Sequence, residues 1–156
     1  MEKSKINEKA LKKTNEMKIT LASLSVNEAA ARAMVGAFCA LLNPTATELA
    51  DIKCALSEAV TNCIVHAYKE KAGAIYISVS IFENRYIKLT VKDKGIGIPD
   101  VRCAMQPLYT TDRTGERSGM GFCVMESFMD KVKVRSKEGS GTVVTMWKDI
   151  TGEKLL

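Results

Sequence analysis

Apolar residues change their spacing several times along this chain, and each change marks a predicted element. Met17 to Ala22 alternates apolar and polar positions, which predicts a first strand. Ser25-Val-Asn-Glu28 has the form of a capping box, in which hydroxyl and carboxylate each satisfy an orphan backbone donor. The Ala- and Met-rich helix it opens runs to about Leu42, where Asn43-Pro44 stops it. Thr45-Ala-Thr-Glu48 opens a second helix in the same way, and Leu49, Ile52, Leu56, Ala59, Val60 and Cys63 recur along it at helical spacing. From Ala74 the period becomes two. Ile75, Ile77, Val79 and Ile81 alternate, Glu83-Asn84 turns the chain, and Ile87, Leu89 and Val91 complete a hairpin. A glycine-rich segment, Asp93 to Pro99, precedes about twenty residues with little apolar periodicity. A third helix is predicted over Gly121 to Met129, then a second hairpin from Val132 to Ser136 and Thr142 to Trp147. Strand, two helices, two strands, helix and two strands predict an α+β fold. Its form is a two-layer α/β sandwich, a mixed and mostly antiparallel sheet with helices on one face.

Length and composition narrow the class. At 156 residues the chain fits one compact domain, and 46% apolar with 26% charged residues is ordinary globular composition. Residues 1–15 are polar and read as a flexible extension, 16–150 as the domain and 151–156 as a C-terminal tail. No apolar run approaches the roughly 18 residues that span a bilayer, so no membrane segment and a cytoplasmic location are expected. Cys39, Cys54, Cys63, Cys103 and Cys123 are odd in number, widely spaced and without a CxxC pair. They are read as reduced structural thiols. The net charge of +5 raises nucleic-acid binding, but residues 1–20 alone carry +3 and no aromatic-studded basic stripe follows. No direct nucleic-acid contact is expected.

Four short constellations carry chemistry. Glu58, Asn62 and His66 lie four apart on the second helix and stack on one stripe. Such a stripe is equally a solvated face or a site in which Asn62 offers a neutral oxygen to Mg²⁺ and Glu58 accepts a proton. Asp93-Lys-Gly95-Ile-Gly97 follows a strand and suits any tight turn. It also suits a carboxylate that accepts an adenine amino group, with glycines clearing space for base and ribose. Arg117-Ser118-Gly119-Met120-Gly121 stands just ahead of a helix, where backbone N–H groups and the helix N-terminus favour phosphate and Arg117 would add a charge-assisted bond. Gly141-Thr142 in the last hairpin would place a hydroxyl beside Asp93. Neither the GxxxxGK[ST] loop nor the HRD/DFG pattern of protein kinases occurs.

In that order, a helical ExxxN, DxGxG after a hairpin, GxG before a helix and GT on a strand resemble the GHKL ATPase superfamily, over roughly residues 17 to 148. Ser57-Glu-Ala-Val-Thr-Asn62, Gln106-Pro-Leu-Tyr-Thr-Thr111, Glu116-Arg-Ser-Gly-Met-Gly-Phe122 and Met125-Glu-Ser-Phe-Met-Asp130 are similar to the small anti-sigma factor serine kinases of spore-forming bacteria. That resemblance implies ATP and Mg²⁺ as cofactors, with Glu58 as general base and Asn62 as metal ligand. It implies Asp93 and Thr142 at adenine, Gly95 and Gly97 beside it, and Gly119, Met120 and Gly121 around the phosphates with Arg117 at the γ position. Gln106 to Ser118, including Thr110, Thr111 and Ser118, would form a nucleotide-dependent lid. The implied partners are a sporulation sigma factor, an anti-anti-sigma protein with an acceptor serine, and a second copy of the chain. Glu28 and Arg32 form either a docking patch or an ordinary intrahelical ion pair. A kinase for a stress-type sigma factor and an ATP-gated module without phosphoryl transfer remain the alternatives.

Overall fold

The computed structural model describes residues 11–107 and 120–152. Strands β1 (Lys13–Ala22), β2 (Ala74–Phe82), β3 (Tyr86–Lys92), β4 (Lys131–Ser136) and β5 (Thr142–Asp149) form one sheet in the order β1-β2-β3-β5-β4. Every pairing is antiparallel, so the expected mixed sheet is corrected to a purely antiparallel one. Two of the pairings, β2–β3 and β4–β5, are hairpins that reverse the chain directly, while β1–β2 and β3–β5 are antiparallel across longer connections. The α-helices among the described residues are α1 (Val26–Cys39), α2 (Ala46–Asn62), α3 (Val101–Ala104) and α4 (Gly121–Phe128). The short α3, held by the Asp100 carboxylate on the Cys103 N–H at 3.0 Å, lies in a stretch whose sequence showed no helical period.

The register sorts the sheet into two faces. Ile77↔Val91, Val79↔Leu89, Leu89↔Met146 and Val91↔Val144 place one buried apolar row across three strands. Onto it pack Ala31, Val35 and Cys39 of α1, with Ile52, Leu56, Ala59 and Val60 of α2. Leu56 and Ile52 are fully buried, each worth about 1.5–3 kcal/mol in apolar transfer. The opposite face carries Lys88, Trp147 and Lys131 in register, the two ammonium groups 5.7 and 4.6 Å from the indole ring. Cys39 is buried, which pushes its thiol up to about 12 and suits a structural role.

Two start signals of the same S/T-x-x-E form behave differently. At α2 the capping box forms: Thr45 Oγ1 accepts from the Glu48 N–H at 3.1 Å, and the Glu48 carboxylate accepts from the Thr45 N–H at 2.8 Å. At α1 the expected box is absent. Ser25 is itself helical (φ −55°, ψ −35°) and makes no capping bond, so its hydroxyl lacks the extended backbone that capping needs. The Glu28 carboxylate is engaged elsewhere, by the Ser57 hydroxyl and by Arg32. β1 also starts before Met17: Lys13 pairs with Phe82 and Asn15 with Ile81, so residues 13–15 belong to the sheet and not to the extension.

Candidate functional site

α2 provides the first wall of the site. Its α-helical winding ends at Asn62 and continues as a π turn over Cys63–Ala67, closed by the Tyr68 N–H to Cys63 O bond at 3.0 Å. His66 therefore sits on i→i+5 winding, outside the four-residue spacing that links Glu58 to Asn62. The π turn leaves the Ala67 carbonyl free of the helix, and it accepts the Ile96 N–H at 3.1 Å. In this way the end of α2 anchors the loop that carries Asp93.

α4 supplies the facing wall. A Cβ at Gly121, its first residue, would lie 3.1 Å from Glu58 Oε2 and 3.5 Å from both Asn62 side-chain heteroatoms. The first turn of α4 presents backbone N–H groups without intrahelical partners, and its dipole favours negative charge. Glu58, Asn62 and a helix N-terminus thus meet at one point, with Met120 half-buried at the entry to that helix. Asn62 offers a neutral oxygen and Glu58 a carboxylate. Among the described residues no group of three or more His, Cys, Asp or Glu side chains converges for a metal ion. That donor set suits Mg²⁺, which takes one or two protein ligands and otherwise keeps waters and phosphates.

Asp93 stands just past β3 and is 4% exposed. Its Oδ1 accepts from the Gly95 N–H at 2.9 Å and the Thr142 N–H at 3.2 Å, and its Oδ2 accepts from the Cys63 thiol at 3.6 Å. Burial raises the carboxyl above its ordinary range, and these donors pull against that rise. Burial, with the Asp93 charge beside it, pushes Cys63 well above the usual thiol range, so it remains an S–H donor. Cys63 was expected only as a small core hydrophobe; its helical spacing gave no sign of a polar partner thirty residues away.

Thr142 meets Asp93 through its backbone. Besides the N–H bond, its carbonyl accepts the Asp93 N–H at 3.0 Å, while its hydroxyl shares a 2.8 Å bond with Ser136. Ser136, which no motif singled out, also accepts the Ile98 N–H at 2.7 Å and donates to Gly141 O at 2.9 Å. The glycines of this region answer to the chain's own backbone. A Cβ at Gly95 would run into Ala67 O, and one at Gly97 (φ +73°) into Lys137 O. The structure therefore brings Glu58, Asn62 and Gly121 together, and Asp93, Gly95 and Thr142 together on the loop that also carries Gly97, with Cys63, next to Asn62, joining the two groups. Thr110, Thr111, Arg117, Ser118 and Gly119 lie outside the described residues. Glu28 and Arg32 form the intrahelical ion pair at 3.4 Å, on α1.

A carboxylate set behind a hairpin, an ExxxN stripe on a helix and a facing helix N-terminus define a nucleotide-binding α+β domain. Residues 21–148 match the family model described as a histidine kinase-like ATPase domain. "Anti-sigma F factor" of Thermoanaerobacter sp. (strain X514) is 52% identical over 90% of this chain and 98% of its own length. "Anti-sigma F factor" of Caldanaerobacter subterraneus subsp. tengcongensis is 54% identical over 87% of this chain and 94% of its own. The chain belongs to the histidine kinase-like ATPase family and, within it, to the anti-sigma F factors. Two solved structures share the fold. They are the RsbU and RsbW domains of Rv1364c from Mycobacterium tuberculosis (TM-score 0.64, 17% identity, 92% of this chain and 35% of that one) and the catalytic domain of histidine kinase ThkA (TM-score 0.55, 16% identity, 88% and 97%). Among the described residues no helix is long and apolar enough to cross a membrane.

Proposed function

We propose that this chain is an ATP-dependent anti-sigma kinase that holds a sporulation sigma factor and phosphorylates a serine of an anti-anti-sigma partner. The observation that carries this reading is the meeting of Glu58 and Asn62 with the N-terminus of α4, one residue from a thiol that touches Asp93. Identity near 50% to anti-sigma F factors over most of the chain supports the choice of partners.

Asp93 accepts the adenine amino group, with its Oδ1 held by the Gly95 and Thr142 N–H groups. The opening turn of α4, from Met120 and Gly121, donates to phosphate oxygens. Asn62 would hold Mg²⁺ through its side-chain oxygen, and that ion would supply charge compensation for the phosphates. Glu58, one turn before Asn62, takes the proton of the partner's serine hydroxyl as that oxygen attacks the γ-phosphoryl group and ADP leaves. Thr110, Thr111, Arg117, Ser118 and Gly119 belong to this proposal by resemblance, as lid and phosphate residues. The working form is a cytoplasmic homodimer, and partners dock near Glu28 and Arg32 on α1. Glu28 lines a hollow of about 190 Å³ with Ser25, Thr61 and Ile64, and Arg32 is its ion-pair partner.

The test is label transfer from radiolabelled ATP·Mg²⁺ to a candidate anti-anti-sigma protein, with wild type and Glu58→Gln. Transfer is expected to fall by about 10²–10⁴-fold in the variant while ATP binding and sigma-factor binding persist. Equal transfer by both proteins removes Glu58 as the base. Tight ATP binding by the wild type without transfer to any acceptor removes the kinase.

A further inference from the structure

An ionised aspartate offers about four acceptor positions, two on each oxygen. Asp93 is 96% shielded, and among the described residues three of its positions are taken: two on Oδ1 by the Gly95 and Thr142 N–H groups, one on Oδ2 by the Cys63 thiol. Bonds to Oδ1 alone leave the carboxylate free to pivot about that oxygen. The thiol, reaching Oδ2 from the end of α2, fixes the carboxylate plane and leaves one Oδ2 position for a ligand donor. The thiol itself is 4% exposed and cannot drift to solvent.

We infer that Cys63 is a positioning residue for base recognition: its S–H aims the remaining lone pair of Asp93 Oδ2 at the amino group of adenine. This rests on the proposed reading of Asp93 as the adenine acceptor and deepens it. Cys63 touches no substrate atom. It selects among nucleotides by fixing the direction in which a buried acceptor points, and a buried acceptor discriminates for or against a donor strongly because neither group has water to fall back on.

The test compares ATP with purine riboside triphosphate, which has hydrogen in place of the C6 amino group, by calorimetric titration with Mg²⁺. Cys63→Ala removes the donor, and Cys63→Val removes it while keeping apolar volume. Asp93→Asn reports on the acceptor. Both Cys63 variants are expected to weaken ATP by about three- to tenfold, since misdirection loses part and not all of one hydrogen bond to a carboxylate, and to change the purine analogue by less than about twofold. Equal weakening of both nucleotides, or no change in either, overturns the inference and leaves Cys63 a packing residue. Asp93→Asn is expected to abolish the preference for ATP altogether. Unchanged preference in Asp93→Asn overturns the adenine reading and the thiol's role with it. Lost preference in Asp93→Asn beside an intact preference in both Cys63 variants overturns the thiol's role alone.

Discussion

Adding one methyl group at Gly121 separates the site from the fold. Gly121 is the first residue of α4 and its φ lies outside the left-handed region, so alanine adopts the same backbone. Alanine is the better helix former, by up to about 1 kcal/mol within a helix and less at its first position. The global fold should be as stable or slightly more so. At the site the outcome is opposite. The new Cβ would stand 3.1 Å from Glu58 Oε2 and 3.5 Å from the Asn62 amide atoms. Ordinary contact lies a few tenths of an ångström further out, so the flexible end of Glu58 must retreat. A misplacement of about 1 Å in a reacting group costs on the order of 10²-fold in rate, and a few tenths therefore cost about three- to tenfold. The methyl also occupies the approach to the α4 N–H groups, which weakens phosphate binding further. We expect phosphoryl transfer by Gly121→Ala to drop about ten- to hundredfold. Its unfolding midpoint should stay within the 2–4 °C that about 1 kcal/mol moves a domain of this size. Thermal unfolding and single-turnover transfer at saturating acceptor measure the two quantities. Wild-type transfer with an unchanged midpoint would show that α4 does not front the reacting atoms. A midpoint lowered by much more than 4 °C would mean that the methyl meets the packed core.

Two further outcomes concern the frame that holds the site. Glu48 is partly buried, which raises its pKa, but bonds from the Thr151 hydroxyl, the Thr45 N–H and the Thr151 and Gly152 N–H groups outweigh that and hold it at about 2. A depressed folded pKa stabilises above the unfolded value of 4.5 and the gain is lost as pH falls towards 2. Glu48→Gln should cost about 1–2 kcal/mol at pH 7, after discounting for solvent screening, and the gap to wild type should close in denaturant titrations between pH 4.5 and 2. Lys148 lies on the helix-facing side of β5, 8% exposed, donating to Asp51 at 3.2 Å and to Phe128 O at 2.7 Å at the end of α4. Lys148→Met strands the Asp51 carboxylate and the helix-end carbonyl, and should cost about 1–3 kcal/mol by chemical denaturation. A loss below 0.5 kcal/mol would reduce the pair to surface decoration.

What the sequence discloses depends on whether the physics is local. The alternation from Ile75 to Ile81 and the spacing from Leu49 to Val60 are local, and both elements formed as read. Glu58 and Asn62 share a turn, so their proximity was legible; that α4 would close over them rested on the likeness of motifs. Non-local partners are not legible in this way. The glycines of the Asp93 loop were read as clearance for a ligand, yet Gly95 and Gly97 are demanded by carbonyls of Ala67 and Lys137, far along the chain. Thr142 was given a role through its hydroxyl, which Ser136 instead engages, because a strand residue's side-chain partner is set by cross-strand register. Cys63 looked apolar because its neighbours on the helix are apolar.

The two S/T-x-x-E sequences press the same point towards function. A capping box requires that the carboxylate have no better offer than its own helix start. Glu48 meets that requirement and still reaches Thr151 and Gly152, tying the first turn of α2 to the end of the sheet. Glu28 does not meet it. Arg32 stands one turn along the same helix, and the Ser57 hydroxyl reaches across from α2, so the carboxylate bridges two helices and leaves its own N-terminus uncapped. Ser57 immediately precedes Glu58. A partner that draws Arg32 away from α1 leaves Glu28 held by the residue before the proposed base, and any shift of α1 is felt at that point of α2. A Ser57→Ala variant should therefore leave nucleotide affinity unchanged and loosen Glu28 towards Arg32 and solvent. If instead it abolished ATP binding, Ser57 would have to be part of the pocket wall and not of the seam between helices.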